Sequence, residues 1–348
     1  MSQFKKCSLH ILLLGLFALS TTLNVTLRAQ DAQPGTPTKA LSGSVRRVVF
    51  DNAAFSGTST PLPHWDNGYL ISLNIETFQS GTSNVRLYDP SGKQARAASI
   101  WFPEAVRVLI YSATATSDGR IIAAGAAEKQ DGTGASFIAM TDLLGKPTNI
   151  IQTKGFAPLN VCQAPDGTVW SFGGTGFNEQ KHSEPNPGDM LRHFDFQKGE
   201  IASYLARSGF PNLPRPEAQA RIHCSADEVV AYSSNAHAYI ELKYGSGAPQ
   251  VYHVEEPSGL QFNGFATTGS KKVYGYFSKL AKSGLYYLSF EETSKTARWL
   301  PVTGTLGVRT TPGVIIGLWG ADGDKLLISR AEDPTGESAF HWASPVDR

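Results

Sequence analysis

Short runs of β-branched and aromatic residues recur along the chain, and each run follows a tight polar turn. Asp bonds its own backbone and tolerates unusual φ angles, and Gly adopts positive φ without a Cβ clash. Such turns, followed at once by a β-rich run, predict β-hairpins. The turns are Asp66-Asn67-Gly68, Asp118-Gly119, Asp166-Gly167, Asp227-Glu228, Gly269-Ser270 and Asp322-Gly323.

The spacing of these turns indicates an internal repeat of about 50 residues. The first four Asp residues are separated by 52, 48 and 61 positions, and the step of 95 from Asp227 to Asp322 spans the degenerate Gly269 turn. A second turn recurs inside the unit, opened by Asp89, Asp142 and Asp195. Each unit is therefore expected to hold four strands, which in the third unit are residues 159–164, 168–173, 190–195 and 200–206.

Four antiparallel strands in each repeat of this length are typical of a β-propeller blade. The sixth unit has strand-like runs near residues 313–319, 325–330 and 338–342, and the sequence then stops one strand short. Residues 44–50 (Ser-Val-Arg-Arg-Val-Val-Phe) form a strand-like run without a unit of their own. We predict an all-β, six-bladed β-propeller of four-stranded antiparallel blades, with the last blade closed by this N-terminal strand so that no edge is exposed. Five or seven blades are the alternatives.

Residues 164–170, Ala-Pro-Asp-Gly-Thr-Val-Trp, resemble the phrase that recurs in six-bladed propellers of the NHL and virginiamycin-lyase-like kind. The resemblance extends over nearly the whole chain after residue 30, at the level of the blade pattern. It implies that the first strand of each blade lines a channel, and that ligands bind where these strands start and at the loop after the second strand. It implies no catalytic residue, because propellers include hydrolases, lyases, lactonases and pure binding proteins.

The first residues have the order of a secretory signal peptide. Lys5 and Lys6 precede an apolar run over residues 9–19, and Ala29 follows it, which predicts a signal peptide over residues 1–29. A membrane anchor is the alternative, although the run is short of the roughly 20 apolar residues that a span needs. We expect a flexible leader over residues 30–43 and a single domain over residues 44–348. The protein is then exported, to the periplasm or the extracellular space, without stable membrane insertion after cleavage.

Removal of the signal peptide leaves 28 basic against 30 acidic residues, a net charge of about −2. Nucleic acid binding needs a basic surface, so this balance argues against a nucleic acid partner.

On the channel geometry that the resemblance implies, the ligand-binding mouth would receive His64, Tyr111, Asn160, Arg221, His223, Asn263 and Arg309. A layer of loops would add Asn178, Lys181, His182, Asn235 and His237. The two arginines could recognise a carboxylate or sulfate, or could instead pair with acidic residues between blades.

His64 and His223 lie in the first strands of the first and fourth units, which oppose each other in a ring of six. Two imidazoles across a channel could bind a metal or share acid–base chemistry. The alternative is that each is an ordinary hydrogen-bonded histidine on a packed strand. The neighbouring first strands offer no clear carboxylate partner, so we predict neither a metal site nor a cofactor.

Cys162 and Cys224 both lie just before a turn, in first strands of adjacent units. Export makes a disulfide possible, provided that the two Cα atoms lie within roughly 7 Å of each other. The Asp residues of the turns are interpreted as turn formers and not as paired catalytic carboxylates.

The sequence thus favours an exported, non-catalytic module that binds a protein, a glycan or a small molecule at the channel mouth. The alternative is a propeller enzyme of the lyase, lactonase or hydrolase type that uses His64 and His223 with or without a metal. Two long polar segments in the third unit, residues 178–189 and 207–217, are further candidates for ligand binding.

Overall fold

The computed structural model describes residues 38–42, 46–51, 54–55, 63–175, 189–206, 220–332 and 338–347. These residues contain no α-helix, and therefore no helix long and apolar enough to cross a membrane. The strands up to residue 152 are β1 (Lys39–Leu41), β2 (Arg46–Val48), β3 (His64–Asp66), β4 (Tyr69–Leu73), β5 (Glu76–Thr77), β6 (Val85–Tyr88), β7 (Gln94–Ala98), β8 (Ala105–Ala115), β9 (Ile121–Lys129), β10 (Gly134–Thr141) and β11 (Pro147–Gln152).

The central part of the chain continues the pattern. Its strands are β12 (Phe156–Gln163), β13 (Val169–Thr175), β14 (Leu191–Asp195), β15 (Gly199–Tyr204), β16 (Arg221–Cys224), β17 (Glu228–Ser233), β18 (Ala238–Lys243) and β19 (Gln250–Glu255). The last strands are β20 (Gln261–Thr267), β21 (Val273–Lys279), β22 (Lys282–Glu291), β23 (Thr296–Pro301), β24 (Gly307–Val308), β25 (Ile315–Asp322), β26 (Lys325–Ala331), β27 (Ser338–Ala343) and β28 (Pro345–Asp347).

Most strands form antiparallel meanders, which we name after their first strands. The order is β3-β4-β6-β7, then β8 to β11, β12 to β15, β16 to β19, β20 to β23, and β25-β26-β27. The Asp turns join neighbouring strands as predicted: the Asp89, Asp142 and Asp195 carboxylates each accept hydrogen bonds from backbone N–H groups two to four residues on. These bonds fix the turns locally, which is why the turn residues could be recognised in the sequence.

The hydrogen-bonded sheets are less regular than the prediction of equal four-stranded blades. They contain two, four, five, eight and nine strands. The β3 and β25 meanders join through a parallel pair at Trp65 and Gly320, and the β16 and β20 meanders join through their outer strands, β19 and β23. The short strand β5 adds to the edge of β8. Neighbouring meanders therefore approach each other closely enough to exchange backbone hydrogen bonds.

The hydrophobic core is divided into clusters that each lie between two successive meanders. Strand β17 contributes side chains to two of these clusters. Val229 and Ala231 pack toward the β12 meander, whereas Val230 and Tyr232 pack toward the β20 meander. A further cluster joins Leu70 of β4 to Leu327 of β26, so the last meander packs on the first. Sheets buried on both faces and packed in a ring make the described chain an all-β, propeller-like fold.

The two ends of the described chain meet. Strand β2 pairs antiparallel with β27, with Arg46 opposite Trp342 and Val48 opposite Phe340. This is the pairing that the sequence predicts for residues 44–50, and it covers the edge of β27. Strand β1 also pairs with β28, although the sequence analysis assigns its residues to the leader before the domain. The ordered fold thus begins before residue 44, because the last residues of the chain offer β1 a backbone partner.

Candidate functional site

The first strands of the meanders converge on a small cavity. Its volume is about 60 Å³, room for about four water molecules. Strands β3, β12, β16, β20 and β25 supply the lining. The polar lining side chains are His64, Asp66, Arg221, His223, Asn263 and Thr267, and the larger apolar ones include Trp65, Phe265, Leu318 and Trp319. Small-molecule sites combine apolar and aromatic walls with a few polar groups, and this cavity has both kinds of lining.

His64 is held by the neighbouring meander. Its Nε2 lies 3.0 Å from the backbone carbonyl of Ala113 in β8. A carbonyl oxygen only accepts hydrogen bonds, so Nε2 is the nitrogen that carries the proton and the ring orientation is fixed.

Asp66 brings a carboxylate to the cavity wall. One of its oxygens accepts a hydrogen bond from the Thr114 hydroxyl of β8. The sequence pattern predicts Asp66 as a turn former, but Asn67 takes that place, with φ of 46° and a 2.7 Å hydrogen bond from Nδ2 to the Ala115 carbonyl. The extra residue in Asp66-Asn67-Gly68, compared with the Asp-Gly turns, leaves Asp66 on the strand. That extra residue is the signal by which the sequence could have indicated its role.

His223 and Arg221 approach the cavity from β16. Burial lowers the pKa of His223, and the nearby Asp66 carboxylate opposes this shift only in part, so the imidazole is neutral at pH 7. Burial also lowers the pKa of the Arg221 guanidinium to about 10, which leaves it charged at neutral pH. Arg221 Nη1 donates to the Ala220 carbonyl at 2.8 Å. The cavity therefore presents a fixed cation, a carboxylate and two imidazoles.

The structure joins Cys162 and Cys224 by a disulfide, with their Cα atoms 5.6 Å apart. The bond links the ends of β12 and β16, and each cysteine adjoins a residue that lines the cavity, Val161 or His223. It therefore fixes β16, and with it Arg221, against the neighbouring meander.

The remaining predicted residues lie elsewhere. Tyr111, whose pKa is raised by burial, and Asn160, which is 6% exposed, do not line the cavity. Arg309 is exposed after β24, and its backbone N–H donates to Ala281. His237 lies in the β17–β18 turn, with Nδ1 3.7 Å from the Glu256 carboxylate.

His182, Asn178 and Lys181 lie outside the described residues, as do residues 207–217. Asn263 does line the cavity, but its amide Nδ2 is engaged by the Gln261 carbonyl and the Ser278 hydroxyl. The aromatic walls, Phe265 and Trp319, are residues that the sequence analysis does not select, because aromatic positions in strands are most often core. Within the described part of the chain, no group of three or more His, Cys, Asp or Glu residues is placed to hold a metal ion.

Comparison with known proteins gives no family. No protein-family model matches the chain, and no curated protein sequence matches it. Similar solved structures include a protein of unknown function from Dyadobacter fermentans, at 11% identity over 90% of this chain and 100% of that chain, with a TM-score of 0.44. YCF48 bound to a D1 peptide matches at 11% identity over 86% and 79% of the two chains, with a TM-score of 0.40. The apo-form of soluble aldose sugar dehydrogenase from Escherichia coli matches at 10% identity over 89% and 100%, with a TM-score of 0.40. At these values the similarities assign neither a fold nor a function to this chain. The fold is therefore described from the geometry of the chain itself.

Proposed function

We propose that the chain is an exported, six-bladed β-propeller that binds an acidic small molecule in its central cavity without transforming it. In this interpretation each meander is a blade, and β2 is the fourth strand of the blade that begins with β25. The core clusters between successive meanders support the arrangement. Export rests on the signal-like residues 1–29, and N-terminal sequencing of secreted protein that begins near Gln30 is the measurement that checks it.

The observation that carries the binding proposal is the convergence of Arg221, His64 and His223 on one cavity. Arg221 offers the planar donor geometry that suits a carboxylate. The Asp66 carboxylate and the neutral His223 ring can accept hydrogen bonds from hydroxyl groups on the same ligand. The volume admits a carboxylate and its nearest hydroxyl, so the rest of the ligand would lie at the mouth. A hydroxy acid or a uronic acid has this chemistry.

Calorimetric titration of glucuronate, lactate and the neutral control glucose tests the proposal. We expect glucuronate or lactate to bind and glucose to bind much more weakly. Arg221→Gln should weaken binding of the acid by roughly thirtyfold, because it removes a charged hydrogen bond of about 2 kcal/mol. Arg309→Gln is the matched control, since Arg309 is exposed and does not line the cavity. Equal losses in both variants, or no binding of either acid, contradict the proposal.

One observation favours a second candidate, an enzyme of the lyase, lactonase or hydrolase type. Two imidazoles and the Asp66 carboxylate line the same cavity, and a neutral His223 is in the protonation state that a general base requires. A screen of lactones, esters and uronate-containing glycosides, followed by mass spectrometry, tests this candidate. We expect His223→Gln to abolish turnover while ligand binding to Arg221 persists. Turnover that is unchanged in this variant excludes His223 as the base.

A further inference from the structure

The hairpin between β21 and β22 exposes a leucine side chain to solvent. Leu280 is 89% exposed, and it forms the two-residue turn together with Ala281, between Lys279 and Lys282. Its φ is 54°, a region that a branched side chain rarely adopts. Positive φ at the first central position of a two-residue hairpin favours glycine. A large apolar side chain in this place is therefore costly to the fold, and such outliers point to function.

The adjacent strand β24 enlarges the apolar surface. Val308 lies opposite Lys282, and the Arg309 N–H donates to the Ala281 carbonyl at 2.7 Å. Leu306 is 51% exposed and Val308 is 43% exposed. We call Lys279–Lys282 together with Leu306, Val308 and Arg309 the Leu280 tip.

The Leu280 tip carries three cations, and Glu291 is the only acidic residue in the strands β20 to β23 of its meander. Lys279, Lys282 and Arg309 are exposed, and none of them forms an ion pair with any residue that the structure describes. The sequence has no Asp or Glu between Glu256 and Glu291, or between Glu292 and Asp322.

The carboxylates of Glu291 and Glu292 lie far from the tip. Strand β22 begins at Lys282 and ends at Glu291, which separates the tip from Glu291 and Glu292 by roughly 30 Å of extended chain. Salt screens charges over about 10 Å, so these carboxylates do not neutralise the tip.

We propose that the Leu280 tip binds the surface of an anionic lipid bilayer, with Leu280 inserted among the headgroups and the three cations on lipid phosphates. Basic residues around an exposed apolar side chain are the composition of peripheral membrane contacts. This proposal is independent of the central cavity, which involves other residues of the fold.

Vesicle sedimentation tests the proposal with the full chain. Phosphatidylcholine vesicles are compared with and without phosphatidylglycerol, at low and at high salt. The apolar run over residues 9–19 is the same in every variant, so a difference between variants reports on the tip. We expect binding that requires phosphatidylglycerol and weakens in high salt. Binding that does not depend on the anionic lipid overturns the proposal, as does the absence of binding.

Two pairs of variants locate the contact. Leu280→Gly should lower binding at least fivefold and leave the thermal midpoint unchanged or higher, because glycine suits the turn. Lys279→Gln with Lys282→Gln should lower binding more than tenfold, at about fivefold for each charge. The matched controls are Leu144→Gly, which removes a leucine that is 91% exposed on another hairpin, and Lys146→Gln with Lys154→Gln. Losses in the controls equal to those in the tip variants overturn the assignment to this surface.

Discussion

The β16 meander packs on both of its neighbours, and the two interfaces are held by different chemistry. On the side of the β12 meander the contact is apolar and covalent. The Cys162–Cys224 disulfide crosses it. Across this interface Tyr244 of the β16 meander stacks on the Trp170 indole of the β12 meander. Within the β12 meander the same indole stacks on the His193 ring, at 4.0 Å between centroids, and on Tyr204.

On the side of the β20 meander, charges and hydroxyl groups lie among the aromatic rings. The Tyr232 hydroxyl donates to Glu256 and accepts from the Trp299 indole at 3.1 Å. Two carboxylates, Glu228 and Glu241, are each only 2% exposed. Lys271 of the next meander lies 3.9 Å from the Glu241 carboxylate.

Strand β17 contributes to both interfaces, because its successive side chains point to opposite faces, with Val229 and Ala231 toward the β12 meander and Val230 and Tyr232 toward the β20 meander. We therefore expect one interface to respond to reductant and the other to pH. The variants below test this contrast, in order of decreasing expected effect.

Loss of the disulfide should have the largest effect. The bond closes a loop with a sequence separation of 62 residues, for which chain entropy gives about 4 kcal/mol of the free energy of unfolding. Cys162→Ala with Cys224→Ala should lower the urea midpoint, and reductant should lower the wild-type midpoint and leave the variant unchanged. An equal response of both proteins to reductant contradicts the contrast.

Removal of one hydroxyl group tests the polar interface. Tyr232→Phe removes one hydrogen bond to Glu256, which keeps the bond from the Ser234 hydroxyl, and removes the acceptor of the buried Trp299 indole, so it should cost about 2 kcal/mol of unfolding free energy. Tyr276→Phe is the matched control, because the Tyr276 hydroxyl is buried and has no hydrogen-bond partner among the described residues. Urea unfolding of both variants gives the comparison, and a loss in Tyr276→Phe as large as that in Tyr232→Phe contradicts it.

The turn chemistry explains how much of the fold could be predicted. Asp-Gly turns act through bonds to their own backbone, so residues such as Asp89 and Asp142 indicate a hairpin wherever they occur. The pairing of β2 with β27 could be predicted because a strand-like run without a unit remained at one end and a missing strand at the other. The links between β19 and β23 and between β3 and β25 could not, since they depend on how closely separate meanders approach.

Part of the cavity lining could be predicted because the resemblance to six-bladed propellers implies that first strands line the channel. His64, Arg221, His223 and Asn263 lie on first strands and line the cavity. Tyr111 lies on a first strand too, but no residue of that strand, β8, lines the cavity. The pairing of β8 with β9 shifts at bulges between residues 105 and 107 and between residues 110 and 112, which no short-range pattern indicates.

The buried carboxyl group of Glu228 should make the stability of the polar interface depend on pH. Burial, and next the Glu241 charge, raise the pKa of Glu228 above its usual value of 4.5. The folded state therefore binds this proton more tightly than the unfolded chain does. The corresponding stability is present below about pH 4.5 and is lost as the pH rises through the folded pKa.

Glu228→Gln removes the charge and retains an oxygen acceptor, so it should raise the unfolding free energy at pH 8 by on the order of 1 kcal/mol. Its advantage over wild type should disappear at pH 4. Urea unfolding between pH 4 and 8 measures this difference, and an advantage that does not change with pH contradicts it.

Glu292, at the exposed edge of the same interface, should show the opposite and smallest response. Hydrogen bonds from Lys271, Lys295 and Tyr252 lower the pKa of its carboxyl group from 4.5 to about 2. A lowered folded pKa gives stability that is present above the unfolded value near 4.5 and is lost as the pH falls toward 2. Glu292→Gln should therefore destabilise slightly at pH 7, and its difference from wild type should shrink below about pH 4.5 and vanish near pH 2. Because the carboxylate faces solvent, salt should shrink the effect, whereas salt should leave the Glu228→Gln difference nearly unchanged. If the two variants gave pH profiles of the same sign, the assignment of a buried and an exposed carboxylate to one interface would be wrong.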